Sequence, residues 1–160
     1  MLKLNDNLSL FNYDEFWMKR ALFYAHKSLI YKEVPIGAVL TYENNEISNG
    51  FNLSILQNDP TAHAEINTLR NAALILSNYR LPNTTLYVTL EPCIMCFGAL
   101  LLARVDRLVF GAYSSNKFNK FNKFNILNLL NNDKNKINYL GGVLAEESSI
   151  LLKKFFYNRR

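Results

Sequence analysis

Thiols are scarce in this 160-residue chain, which has two cysteines, Cys93 and Cys96, and two histidines, His26 and His63. The amino-terminal stretch MLKLNDNLSLFNYDEFW lacks the continuous apolar segment of a secretory leader. These absences exclude a disulfide-held scaffold, and two cysteines three residues apart read instead as metal ligands or a redox pair. No run approaches the roughly 18 apolar residues of a membrane-spanning helix, so a soluble cytoplasmic protein with no membrane partner is expected. Charge is also sparse, at 19% of residues, and acids are the minority: 13 Asp and Glu against 18 Lys and Arg give a net charge of +5. That balance favours a polyanionic partner, although many basic proteins of this size bind no nucleic acid.

What is present is enough apolar material for one core. A hydrophobic fraction of 49% and an aromatic fraction of 13% exclude disorder of the whole chain, and the length suits a single domain over residues 1–160. From Tyr13 to Tyr31, Phe16, Leu22, Phe23, Ala25, Leu29 and Ile30 recur at helical spacing between lysines and arginines, which predicts an amphipathic helix. VPIGAVLTY, the turn ENNE and EISNGFN then predict a β-hairpin, and SILQND reads as a polar loop. Thr61 is the expected N-cap of a helix over residues 62–77. TLYVTL is too apolar for an edge strand and is expected at the centre of the sheet. A helix from Pro92 to about Val105 and the strand RLVFGA follow, and strand, helix, strand implies parallel pairing. Residues 113–125, which include the repeat NKFNKFNKF, read as a long loop. A weak helix, a short strand near residues 137–140 and a terminal helix over 145–160 complete the chain.

Two motifs carry chemistry: PTAHAEI at residues 60–66 and LEPCIMC at 90–96. Residues two apart on a helix point about 200° away from one another, so His63 and Glu65 can converge only at its end. Cys93 and Cys96 share a face of the next first turn, so two helix N-termini would meet at one point and favour thiolates. Three ligands, His63, Cys93 and Cys96, fall one short of a structural zinc site and leave a position for water, with Glu65 placed to move its proton. The set reads as zinc-assisted hydrolysis. C-x-x-C alone also fits a redox pair, a packed pair of small side chains, or a structural site completed by His26. The combination of H-x-E, P-C-x-x-C and an intervening strand favours the catalytic reading.

These motifs, with EVPIGAVL, GFN, NDPTAHAEI, NYRL, TLYVTLEPCIMC and the terminal FFYNRR, resemble the zinc-dependent cytidine deaminase superfamily, and within it the bacterial tRNA-specific adenosine deaminases, which are among the standard cases of base flipping. The resemblance implies a three-layer α/β fold with a five-stranded mixed sheet between helices, a homodimer and one zinc ion per subunit. It implies conversion of adenosine to inosine at the wobble position of a tRNA anticodon arm, usually of an arginine tRNA. Carried over by position, His63, Cys93 and Cys96 hold zinc, Glu65 shuttles protons, and Asn52, the backbone at Ala64, Ile36 and Ser114 meet the substrate. The cations and aromatics of KKFFYNRR suggest that Phe156, Arg159 and Arg160 contact RNA. The chain departs from the family after FGA, where an aspartate is common and Tyr113, Ser114 and the NKF repeat stand instead. A deaminase of a free base or nucleoside would share every catalytic residue and is the alternative function. A structural zinc protein that binds RNA through the repeat is the non-enzymatic one, and the repeat itself reads more readily as a solvated loop.

Overall fold

The computed structural model describes residues 3–114, 137–157 and 159, and for residues 3–12 only the backbone. Its elements in chain order are α1 (Lys3–Ile30), β1 (Gly37–Tyr42), β2 (Asn45–Phe51), α2 (Ser54–Gln57), α3 (Ala64–Ile75), β3 (Thr84–Leu90), α4 (Ile94–Ala103), β4 (Arg107–Ala112), β5 (Asn138–Gly141) and α5 (Ala145–Tyr157). The five strands form one sheet in the order β2-β1-β3-β4-β5. β1 runs antiparallel to both β2 and β3, while β3–β4 and β4–β5 are parallel. TLYVTL is therefore the central strand, and the parallel pair joined by α4 is the one its strand-helix-strand pattern requires. The NKF repeat and the weak helix expected after it lie outside the described residues.

Alternation along the strands builds two apolar layers. Ala38, Leu40, Leu86, Val88, Leu108 and Phe110 point to one face and pack on Leu69 and Ala72 of α3 and Phe97 and Leu100 of α4. Val39, Tyr87 and Val109 point to the other face and meet Trp17, Met18, Ala21 and Tyr24 of α1. α5 shares that second face: a Cβ on Gly111 would stand 2.5 Å from Ser148 Oγ, so only glycine lets α5 lie this close to β4. Among the described residues no helix is long and apolar enough to cross a membrane.

Four local expectations need correction. The buried stripe of α1 is Trp17, Met18, Ala21, Tyr24 and Ala25, whereas Phe16, Phe23, Leu29 and Ile30 are exposed. Both stripes are apolar, and fit decides between them: a Cβ on Gly37 would lie 2.2 Å from the Ala21 carbonyl oxygen, so the helix presents its small residues to β1. α1 also starts ten residues before the expected Tyr13. SILQND contains the short helix α2, because Glu33 Oε1, distant in sequence, accepts from Ile55 N–H at 2.7 Å and Leu56 N–H at 2.9 Å. Thr61 does not cap α3: its N–H and hydroxyl both donate to Asp59 Oδ1, at 2.8 and 2.7 Å, and the N-cap passes to His63.

Candidate active site

His63 and Cys93 are the N-caps of α3 and α4, both in extended backbone conformations, and neither side chain caps its own helix. Their carbonyls accept the first helical bonds, from Asn67 N–H at 3.0 Å and Phe97 N–H at 2.8 Å, which anchors each backbone while the side chain turns outward. The two side chains turn toward each other. His63 Nδ1 lies 3.7 Å from Cys93 Sγ and 3.5 Å from Cys96 Sγ. All three donor atoms lie within 4.8 Å of one another.

Several contacts fix the approach to α3. Leu53 N–H donates to the Ala62 carbonyl at 2.9 Å, closing the segment between Asn52 and His63. Asn67 Nδ2 donates to Phe51 O at 2.9 Å and Ala62 O at 3.2 Å. A Cβ on Gly50 would stand 2.8 Å from the Ala64 carbonyl oxygen, so glycine in GFN allows α3 to rest on β2. Asn52 Oδ1 accepts from Ala64 N–H at 2.9 Å, and the Ala64 carbonyl accepts from Thr68 Oγ1 at 2.7 Å. Ala64 thus orients Asn52, and the Nδ2 donors of Asn52 are the half of the amide suited to a ligand.

The donor set fits zinc. Zinc bonds of about 2.3 Å to sulfur and about 2.0 Å to nitrogen, at tetrahedral angles, separate sulfur from nitrogen by roughly 3.5 Å. The observed separations of 3.5 and 3.7 Å match that requirement. Two soft thiolates and an imidazole are also the ligand chemistry that selects this ion. The hydrogen bond from Cys96 draws the Cys93 thiol down to about 4 against the effect of burial. Cys96 is pushed up by the same contact and by burial. The pair thus shares one proton that a dication displaces. Glu65 is 4% exposed, and burial first of all raises its carboxyl to about 7. Such a group can both take and return a proton near neutrality. His26 is exposed and lines a groove between α1 and α5, away from the cysteines, which removes the four-ligand structural site.

His63 opens onto a cavity of about 360 Å³ that Ile36, Asn52, Ser114 and Phe156 also line. Four residues placed with the substrate on sequence grounds therefore meet around one space. Val34, Leu90, Ala112 and Tyr113 complete its walls, and α5 adds Ser149 and Leu152, which sequence reasoning missed, and Lys153, the first residue of KKFFYNRR. Glu91 was missed as well, although it directly precedes Pro92 and Cys93. Its Oε2 accepts from Ser114 N–H at 2.9 Å while its own N–H donates to the Ala112 carbonyl at 2.9 Å, so it ties the end of β4 to the cysteine turn. An acid inside LEPC was the available signal. Arg159 does not line this cavity: its guanidinium lies 4.3 Å over the Phe155 ring and donates to the Lys32 carbonyl. Arg160 lies outside the described residues.

Residues 11–112 match the family model of the cytidine and deoxycytidylate deaminase zinc-binding region. A tRNA-specific adenosine deaminase of Buchnera aphidicola is 50% identical over 147 residues, covering 92% of this chain and 90% of the relative. A solved structure of a tRNA:A34 deaminase, from work on A-to-I editing at the wobble position of transfer RNA, superposes with a TM-score of 0.72 at 35% identity, covering 86% of this chain and 99% of that one. A guanine deaminase from Nitrosomonas europaea superposes with a TM-score of 0.75 at 25% identity, covering 88% and 83%.

Proposed function

Because the chain belongs to the zinc-binding cytidine and deoxycytidylate deaminases, and within them to the tRNA-specific adenosine deaminases, we propose that it converts adenosine 34 of a tRNA anticodon to inosine. The observation that carries this reading is that His63, clustered with Cys93 and Cys96, opens onto a cavity that Asn52 also lines. The 50% identity to a tRNA deaminase, against 25% to a guanine deaminase of similar fold, supports tRNA over a free base as substrate.

Zinc held by the cluster supplies a Lewis acid that lets water ionise near neutral pH. Glu65 accepts the first proton as water attacks C6 of the purine and delivers it to N1; it then takes the proton of the hydroxyl added at C6 and passes it to the amino nitrogen, which departs as ammonia. Adenosine and water thereby become inosine and ammonia. Asn52, held by Ala64, donates from Nδ2 to the edge of the flipped base. Ile36, Leu152 and Phe156 give the cavity apolar walls that exclude bulk water and strengthen each polar contact inside.

Finer parts of the proposal are an arginine tRNA as substrate, a cytoplasmic location, and a homodimer with one zinc per subunit. The dimer is supported by large apolar side chains left exposed on α3 and α4, among them Leu74 and Leu102, both 78% exposed. The reading is tested by offering the zinc-loaded protein tRNA, adenosine, cytosine and guanine in parallel. Inosine in tRNA with the free compounds unchanged supports it. Turnover of a free base with tRNA untouched contradicts it.

A further inference from the structure

α5 separates two cavities. Ser149, Leu152, Lys153 and Phe156 recur at the spacing of one helical face and line the zinc-site cavity. Glu147, Ile150, Leu151 and Lys154 line the groove toward α1 instead. Two consecutive lysines are therefore sent to different spaces, as a turn of about 100° per residue requires.

The lining of the zinc-site cavity is otherwise apolar or neutral. Apart from the ligand His63, Lys153 is its one ionisable cation among the described residues, and Glu65, the carboxylate assigned to the chemistry, is buried. Lys153 is also exposed, which puts its ammonium at the rim and not at the floor. A base that enters a closed pocket leaves its ribose and flanking phosphates at the entrance, where a lysine meets them as a flexible point charge. We infer that Lys153 binds a phosphate next to the deaminated adenosine and so selects a nucleotide within a strand over a free nucleoside or base. This inference rests on the tRNA reading above.

The test uses steady-state kinetics of the zinc-loaded protein on an anticodon stem-loop. Lys153→Ala should raise KM about tenfold, as expected for one charge-assisted contact, with kcat changed less than about twofold. The slope of log(kcat/KM) against log salt should become shallower by about 1. Lys153→Arg should restore KM. Lys154→Ala removes the same charge on the other side of α5 and should leave KM within about twofold. Stem-loops with a neutral methylphosphonate at either linkage flanking the adenosine locate the contact: one of them should cost the wild type the same factor and add nothing in Lys153→Ala. Equal KM increases in the two alanine variants, or a methylphosphonate penalty undiminished at both linkages in Lys153→Ala, would overturn the inference. Wild-type protein that forms no inosine in the stem-loop would overturn the tRNA reading beneath it, and the inference with it.

Discussion

Cys93 is the side chain on which metal binding and folding are most directly coupled, because it stands at the N-cap position of α4 and its sulfur lies 3.7 Å from the imidazole of His63, the N-cap residue of α3. Cys93→Ala should bind less than one zinc per chain in metal analysis and should melt at a temperature that a chelator no longer changes. At Ser114 the expectation concerns sugar selectivity. An aspartate there would accept a hydrogen bond from a ribose 2′-hydroxyl and repel the adjacent phosphate, whereas serine keeps the hydrogen bond without the repulsion. Ser114→Asp should therefore raise the ratio of RNA to DNA hairpin turnover severalfold, and equal ratios in the two proteins would refute this role. The ligands were readable from residue type and spacing alone. Glu91 was not, and KKFFYNRR did not tell which of its cations faces the site: a lysine on a helix resembles any solvated charge until the neighbouring helix face and strand end are placed beside it.

Elements carry a second kind of dependence. Glu46 of β2 accepts from Arg20 at 3.0 Å and from Tyr24 at 2.8 Å, tying the hairpin to α1, and Asn49 donates to it at 2.9 Å. Burial raises its carboxyl, and these hydrogen bonds outweigh burial, so its pKa ends below the ordinary value. The stability it contributes is present above the unfolded value of about 4.3 and is lost as pH falls through the lowered folded value. Glu46→Gln should make urea stability flatter across that acidic window and lower above it; a variant with the wild-type acid slope would contradict the assignment. The elements that the sequence misplaced share one cause. The stripe of α1, the helix in SILQND and the cap of α3 are each decided by a partner distant in sequence or by a competing side chain: Gly37 against Ala21, Glu33 beneath Ile55, and Asp59 holding Thr61. Period and propensity do not contain those partners. The near-continuous apolar, β-branched and aromatic run of TLYVTL, by contrast, placed β3 correctly because both of its faces are buried.

For the whole molecule, the sheet and the metal cluster are one structure. α3 and α4 pack on the same face through Leu86 and Leu100, and their N-termini meet at the three ligands. Leu86→Ala, at a fully buried position, should cost about 3 kcal/mol in denaturant unfolding. Stripping zinc should lower the melting temperature by about 5 °C or more and leave the sheet intact by circular dichroism, since the ion ties two helix ends and not the core. Fold class was readable because the parallel unit and the hairpin announce themselves locally. How α5 closes the cavity was not, since it depends on Gly111 admitting Ser148, a residue distant in sequence.

The central claim is that a carboxylate beside, and not on, the metal runs the deamination of a tRNA base. Its most direct test is inosine mapped by position in total tRNA treated with wild type and with Glu65→Ala, each first measured for zinc. The account predicts one zinc per chain in both proteins, inosine at position 34 with the wild type, and a rate lower by about 10²–10⁴-fold in the variant. Zinc lost from Glu65→Ala, or inosine formed at an undiminished rate, would contradict it.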